Sequence, residues 1–399
     1  MKLRTYTEAD VRGRRVLVRA DLNVPLAGGA VGDTTRIEES LPNLVALHNF
    51  GARVAVISHL GRPKARDAAF TMKPVAAALE RLLTQKLRGF AGVHYLTEAV
   101  GPEVARALAA DWRREIVLLE NSRFYPGETK NDPEFARELA QPFEAFVNDA
   151  FGTAHRAHAT TVGVTQHLKS FAGPLMVKEV EALSRVVERP ARPFIVVTGG
   201  KKVSDKLPLL RSLCGRAETV LVGGAMVFTL ARALGLATGK SLVEEEQIDA
   251  CREVIADYHE STTRLVLPED VVVTTDLESA AGMANRTLAE IGEAEMGVDI
   301  GEATQDAFAQ YLAEAATVFW NGPLGVFERP PFDRGTLAVA KAIAENRSAF
   351  SVVGGGESVE AVKKLGFAQA ISHLSTGGGA SLEFVAGQEL PGLAVLAAG

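Results

Sequence analysis

The chain has 399 residues, 47% apolar and 23% charged, which is enough apolar material for two hydrophobic cores and excludes a disordered or fibrous class. Its net charge of −6, from 43 basic and 49 acidic residues, excludes a nucleic-acid binder driven by a general basic excess, so any cationic cluster must be local. Two cysteines, Cys214 and Cys251, supply neither a disulfide framework nor a metal-binding spacing and fit reduced thiols in the cytoplasm.

The stretch from Met1 to Arg15 is charged throughout and lacks the apolar centre of a signal peptide. No apolar run approaches the roughly 20 residues of a membrane span, so a cytoplasmic location is expected. Short β-branched runs then alternate with helical spacing, the pattern of repeated βα units around parallel sheets. Strands are expected over Arg15 to Asp21, Arg53 to Ser58, Ile116 to Glu120 and Ala145 to Asp149, with helices over Ile37 to Leu47 and Val75 to Leu83. The strand ends share a theme. Asp21-Leu22-Asn23 and then Arg36 follow the first, His59-Leu60-Gly61-Arg62 the second, Arg123 the third, and Arg156 between His155 and His158 the fourth. Singly each of these is an ordinary capping or solvated residue. Together they deliver guanidinium and imidazole groups suited to bidentate binding of carboxylate or phosphate, which implies a small polyanion.

A helix from Met176 to Val187 precedes the sharpest composition break, Glu188-Arg189-Pro190-Ala191-Arg192-Pro193, where a domain boundary is expected. Beyond it, strands are expected over Phe194 to Thr198, Thr219 to Val222, Arg264 to Leu267, Thr317 to Trp320 and Ala349 to Val353, with helices over Ile248 to Tyr258 and Leu337 to Ala344. Glycine turns cluster in this half: Gly199-Gly200-Lys201-Lys202, Gly223-Gly224-Ala225-Met226, Gly354-Gly355-Gly356-Glu357-Ser358 and Gly377-Gly378-Gly379. The amides of a helix's first turn lack internal partners and sit at its positive end, so such turns favour phosphate. After Gly200, Ser204 is expected to cap a helix whose first turn holds Lys206, placing Lys202 and Lys206 on one face. Cations at a positive helix end are unfavourable unless an anion joins them, which favours phosphate over a solvated turn. Glu357, opening a helix, can hold magnesium or simply cap that helix. Gly235 to Ser241 imitates a Walker A loop but is one residue short and has no strand before it, so it reads as a helix end and a turn. A nicotinamide dehydrogenase would need a GxGxxG turn with an acidic residue about 20 positions on, and none is present.

The strings VLVRADLNVPL, DTTRI, SHLGRPK, LLENSRFYPGE, NDAFGTAHRAHA, GGKKVSDK, FWNGPLGVFE, VVGGGES and SHLSTGGGASLEF occur in order, and over its whole length the chain resembles the phosphoglycerate kinase family. The resemblance implies an α/β enzyme of two Rossmann-like domains with parallel sheets flanked by helices. Residues 1–175 would bind phosphoglycerate, 176–189 form a hinge helix, 190–379 bind nucleotide, and 380–399 return to the first domain. It implies a monomer acting on phosphoglycerates and ADP or ATP with Mg²⁺, without nucleic-acid or membrane partners. By similarity Asp21, Leu22, Asn23, Arg36, His59, Leu60, Gly61, Arg62, Arg123 and Arg156 hold the phosphoglycerate. Gly200, Lys201, Lys202, Lys206, Gly223, Gly224, Gly297, Asn321, Pro323, Val326, Glu328, Gly354, Gly355, Gly356, Glu357 and Ser358 hold the nucleotide, Glu357 the metal. Arg36, Lys202, Lys206 and the amides of Gly355 and Gly378 would serve the transfer itself. Four residues depart from the family's usual pattern, all in the nucleotide half: Lys201 for a small residue, Ala225 for glycine, Glu357 for aspartate, and Glu295 where tryptophan is common. Their clustering keeps open a second reading, a homologue that binds these ligands with weakened catalysis.

Overall fold

The runs Arg15–Arg19, Arg53–Ile57, Glu115–Leu118 and Ala145–Asn148 are apolar at nearly every interior position, which suits strands covered on both faces. In the computed structural model, which describes residues 1–110 and 112–398, they form the middle of a six-stranded parallel sheet. The spatial order is Gly92–Tyr95, Glu115–Leu118, Arg53–Ile57, Arg15–Arg19, Ala145–Asn148, Lys169–Ala172. Val16, Val18, Val54 and Val56 share one core with the helices Thr35–Asn49 and Lys73–Thr84. Leu17, Ala55, Ile57 and Phe146 share another with Pro102–Ala109 and Pro133–Ala140. Because all these strands run parallel, their carboxyl ends lie along one edge.

Four strands of this sheet stop one or two residues before the expected ends at Asp21, Ser58, Glu120 and Asp149. At two of those ends the reason is visible in the side chain, which competes for backbone groups. Ser58 Oγ accepts from Leu22 N at 2.9 Å, and Glu120 accepts from Met72 N at 2.8 Å and Asn121 N at 2.7 Å.

The second sheet runs, in space, Arg264–Val266, Thr219–Val222, Phe194–Thr198, Thr317–Asn321, Phe350–Gly354, His373–Leu374. Counted along the chain this is the doubly wound order 3-2-1-4-5-6, in which ligands bind beyond the carboxyl ends where the order reverses. That reversal falls between Phe194–Thr198 and Thr317–Asn321. An antiparallel sheet of Ala284–Thr287, Asp270–Thr274 and Met296–Ile300 is inserted before the fourth strand. Its middle strand is a β-branched run, Val271-Val272-Val273, absent from the expected strands, while its partners carry weak signals: Ala284-Asn285-Arg286-Thr287 has no apolar face and Met296–Ile300 is broken by Gly297 and Asp299. The parallel α/β architecture expected from alternating runs is otherwise what forms. Among the described residues no helix is long and apolar enough to cross a membrane.

The chain divides into two units, Met1–Glu181 with Glu389–Gly399, and Ala182–Gln388. The C-terminal segment joins the first unit through backbone bonds: Arg4 N donates to Leu396 O and Gly392 N to Ala154 O, each at 2.9 Å. The helix Pro174–Val187 begins in the first unit, where Asp149 Oδ1 accepts from Leu175 N at 2.8 Å and Met176 N at 3.2 Å. Burial raises the Asp149 pKa to about 6 against these hydrogen bonds. The folded state therefore holds a proton that the unfolded chain has released, and stability falls as pH rises from about 4 to about 6. A difference of about two pH units is worth about 3 kcal/mol. Asp149→Asn keeps the Oδ1 acceptor and loses the charge. Denaturant midpoints of this variant should exceed the parent's at pH 8 and converge with them near pH 4; parallel pH profiles would refute the assignment.

Candidate functional site

In the first unit Arg19, the last residue of its strand, is fully buried. Its Nε donates to Thr160 Oγ1 at 3.0 Å, Nη1 to the Ala20 carbonyl, and Nη2 lies 3.0 Å from His59 Nδ1. Guanidinium only donates, so His59 Nδ1 accepts and the ring carries its proton on Nε2. Burial holds the His59 pKa well below the usual imidazole range, with Arg19 and Arg123 pushing the same way, so the ring is neutral at pH 7. Burial also works to raise the Asp21 pKa, but Arg36, with Nη1 2.7 Å from Asp21 Oδ2, acts together with Arg19 and the Asn23 N–H to outweigh it, and the carboxyl stays below its ordinary value.

Three loops lock these groups together. Asn23 Oδ1 accepts from Gly61 N at 2.8 Å, and Arg123 Nη1 donates to Gly61 O at 2.5 Å. Arg62 and Arg156 are exposed. Arg123 is pulled below its ordinary pKa by burial and then by Arg19, Arg156 and Arg62. Cations that raise one another's energy in this way are relieved by an anion placed among them. Leu22 and Leu60 are buried, and their backbone rather than their side chains faces the polar network.

In the second unit a pocket of about 440 Å³ opens at the point where strand order reverses. Gly200, Lys201, Gly224, Gly297, Pro323, Val326, Glu328 and Glu357 all line it. Gly224 has φ +69°, and a Cβ there would stand 2.5 Å from Gly200 N, so only glycine lets the two turns touch. Ala225 follows in ordinary helical conformation, φ −64°, where a methyl costs no strain. Gly297 abuts the Phe228 ring: an added Cβ would be 1.9 Å from its Cζ.

A second pocket, about 470 Å³, is lined by Lys206, Asn321, Gly355, Gly356, Gly378 and Gly379, among others. The helices Gly356–Lys364 and Gly379–Val385 start here. Lys206 Nζ donates to Asn321 Oδ1, and burial lowers the ammonium's pKa to about 8, with Asp205 and Glu357 acting in the opposite sense. Glu357 thus lines the first pocket while its charge reaches the lysine in the second.

A family model described as phosphoglycerate kinase matches residues 6–388 of the chain. The chain belongs to the phosphoglycerate kinase family. It is 53% identical over 397 residues to the phosphoglycerate kinase of Rubrobacter xylanophilus, covering 99% of this chain and 98% of that one. Against the phosphoglycerate kinase of Thermus thermophilus identity is 50% over 397 residues, covering 99% and 100%. The solved phosphoglycerate kinase of Coxiella burnetii superposes with TM-score 0.87 at 37% identity, covering 99% of each chain.

For a member of this family the local geometry departs from the sequence expectation at one turn. Lys202 and Lys206 do not share a helical face: residues 204–206 form a turn and the helix begins at Leu207, with Pro208 in its first turn. Ser204, expected as the cap, instead gives N–H and Oγ–H to Glu244 at 3.0 and 2.7 Å. Lys202 is exposed and lines neither pocket. Gly223 and Gly354 sit behind the turns, and Ser358 is buried with its Oγ accepting from Gly322 N at 2.6 Å. Glu295 does not face the pocket; its carboxylate is taken by Arg286 at 2.9 Å and Gly292 N at 2.9 Å.

Sequence reasoning missed Arg19, Asn121, Phe228 and Ser241. Arg19 carried a usable signal, a cation inside an apolar strand. Phe228 drew no reading, because an apolar residue inside a helix looks like ordinary core. Ser241 belonged to the rejected Walker-like loop, which does end in turns yet lines the pocket, where Ser241 Oγ accepts from Gly297 N at 2.9 Å.

Proposed function

We propose that this protein catalyses reversible transfer of the acyl phosphoryl group of 1,3-bisphosphoglycerate to ADP, giving 3-phosphoglycerate and ATP, as a cytoplasmic monomer in glycolysis and gluconeogenesis. The observation that carries the reading is the division of labour: an arginine-rich strand edge in one unit and a glycine-lined pocket at a doubly wound switch point in the other. In this reading Asp21, Asn23, Arg36, His59, Arg62, Arg123 and Arg156 hold the phosphoglycerate. The backbone of Gly200 and Gly224, with Gly297, Pro323, Val326 and Glu328, holds the nucleoside, while Lys206 and the amides of Gly355 and Gly378 face its terminal phosphates.

Among the described residues no three His, Cys, Asp or Glu side chains gather around a metal position. Glu357 lines the nucleotide pocket and its charge reaches Lys206, so magnesium would be held by Glu357 and the nucleotide's own phosphates, with water completing its oxygen shell. Bound there, the ion would neutralise charge on the terminal phosphates. The chain's own part is positioning and cationic stabilisation of the migrating group, because the carboxylate of 3-phosphoglycerate is already ionised at pH 7 and needs no general base. Each unit carries groups for one substrate, so transfer requires closure of one unit on the other through the helix Pro174–Val187, which also excludes water.

Purified protein should form ATP from ADP and 1,3-bisphosphoglycerate in a magnesium-dependent reaction, and folded protein that binds both ligands without turnover would refute the reading. The nucleotide pocket is tested separately by Gly297→Ala. The methyl must displace Phe228, an overpacking cost of about 1–3 kcal/mol. The KM for ATP should rise about tenfold or more while that for 3-phosphoglycerate stays put; an unchanged KM for ATP would place the base elsewhere.

A further inference from the structure

Asn121 is fully buried just beyond the strand Glu115–Leu118, and every hydrogen-bonding position of its amide is filled. Its Oδ1 accepts from Leu60 N at 3.1 Å and Arg123 N at 3.0 Å; its Nδ2 donates to Leu60 O at 2.8 Å and Phe70 O at 2.9 Å. The amide therefore pairs with both backbone groups of Leu60 as a neighbouring strand would. Its orientation is not interchangeable, because a flip would set donors against two N–H groups and the oxygen against two carbonyls.

Two loops meet on this one side chain. Leu60 lies between His59 and Arg62, Phe70 closes the same loop eight residues beyond Arg62, and Arg123 takes its backbone bond from Oδ1. Arg123 then reaches back to Gly61 O, and Gly61 N is held by Asn23. Glu120, the preceding residue, anchors the loop's far end through Thr71 Oγ1 and Met72 N, each at 2.8 Å. We infer that Asn121, which touches no substrate, is the positioning residue that sets His59, Arg62 and Arg123 in register for the phosphoglycerate. This inference rests on the assignment of that substrate to the arginine cluster.

The test compares Asn121→Asp, Asn121→Ser and Arg123→Ala by steady-state kinetics with 3-phosphoglycerate and MgATP, alongside thermal melts. In Asn121→Asp the carboxylate faces the carbonyls of Leu60 and Phe70, so the KM for 3-phosphoglycerate should rise about tenfold or more at pH 8 with the KM for MgATP within about twofold of the parent. Protonation returns one donor, so that KM should recover as pH falls toward 6; serine, too short to reach Leu60, should show the rise without the recovery. If the aspartate variant does not fold, the serine variant's split between the two KM values decides. An unchanged KM for 3-phosphoglycerate, equal rises in both KM values, or failure of both variants to fold would overturn the positioning role. If Arg123→Ala raises the KM for 3-phosphoglycerate and the Asn121 variants do not, only the positioning role falls. If Arg123→Ala leaves it unchanged, the substrate assignment falls as well.

Discussion

Arg36→Ala should lose about 10³- to 10⁵-fold in turnover while keeping nucleotide binding, the scale seen for arginines that stabilise a migrating phosphoryl group. That corresponds to about 4 to 7 kcal/mol of transition-state stabilisation. Folding should be weakened modestly but not lost. The Arg36 side chain is 37% exposed while Asp21 is only 11% exposed, so removing the arginine leaves a buried carboxylate with Arg19 as its remaining nearby cation. Arg36→Lys keeps the charge but not the planar fork, and should recover only part of the loss. Saturating kinetics, calorimetric titration with ADP and a thermal melt read the three quantities separately. Turnover within about tenfold of the parent would remove Arg36 from the transfer step, and a large drop in melting temperature would make its role structural.

The sequence made the fold's parallel strands legible because doubly covered strands must be apolar on both faces, and Phe194–Thr198 and Thr219–Val222 were readable to the residue. The antiparallel insertion was legible only in its middle strand, Val271-Val272-Val273; its two partner strands are short and carry glycine and polar residues. The arginines and glycine turns of the two sites could be named because each follows a strand directly. What could not be named was support from a distance: Asn121 serving Leu60, 61 residues away, or Glu244 drawing Ser204 off its expected cap across 40. Local pattern carries no record of such pairings. The same limit explains Lys202 and Lys206, where a helical face was expected and Pro208 with Glu244 fixed a turn.

Lys206→Met should move activity and stability in opposite directions. In the free protein the ammonium is largely buried with Asn321 Oδ1 as its hydrogen-bond acceptor, and burial lowers its pKa to about 8 despite the nearby carboxylates of Asp205 and Glu357. A pKa depressed from 10.5 means that the unfolded chain binds more protons than the folded one between about pH 8 and 10.5. The cost is fully present below pH 8 and is relieved as pH rises through that window. Methionine fills the same volume without the charge, so at pH 7 the variant should be more stable by on the order of 1–2 kcal/mol, after allowing for solvent screening and for the acceptor left on Asn321. The parent's stability should climb toward the variant's as pH rises to about 10. Catalysis should show the reverse. A strained cation beside the amides of Gly355 and Gly378 gains most when negative charge arrives, and removing one preorganised group of this kind costs about 10²- to 10³-fold in kcat. Denaturant midpoints across pH and kcat at saturation measure the two effects. A variant that keeps its kcat, or one that loses stability at pH 7, would show that Lys206 is held in the pocket for packing rather than for the incoming phosphates.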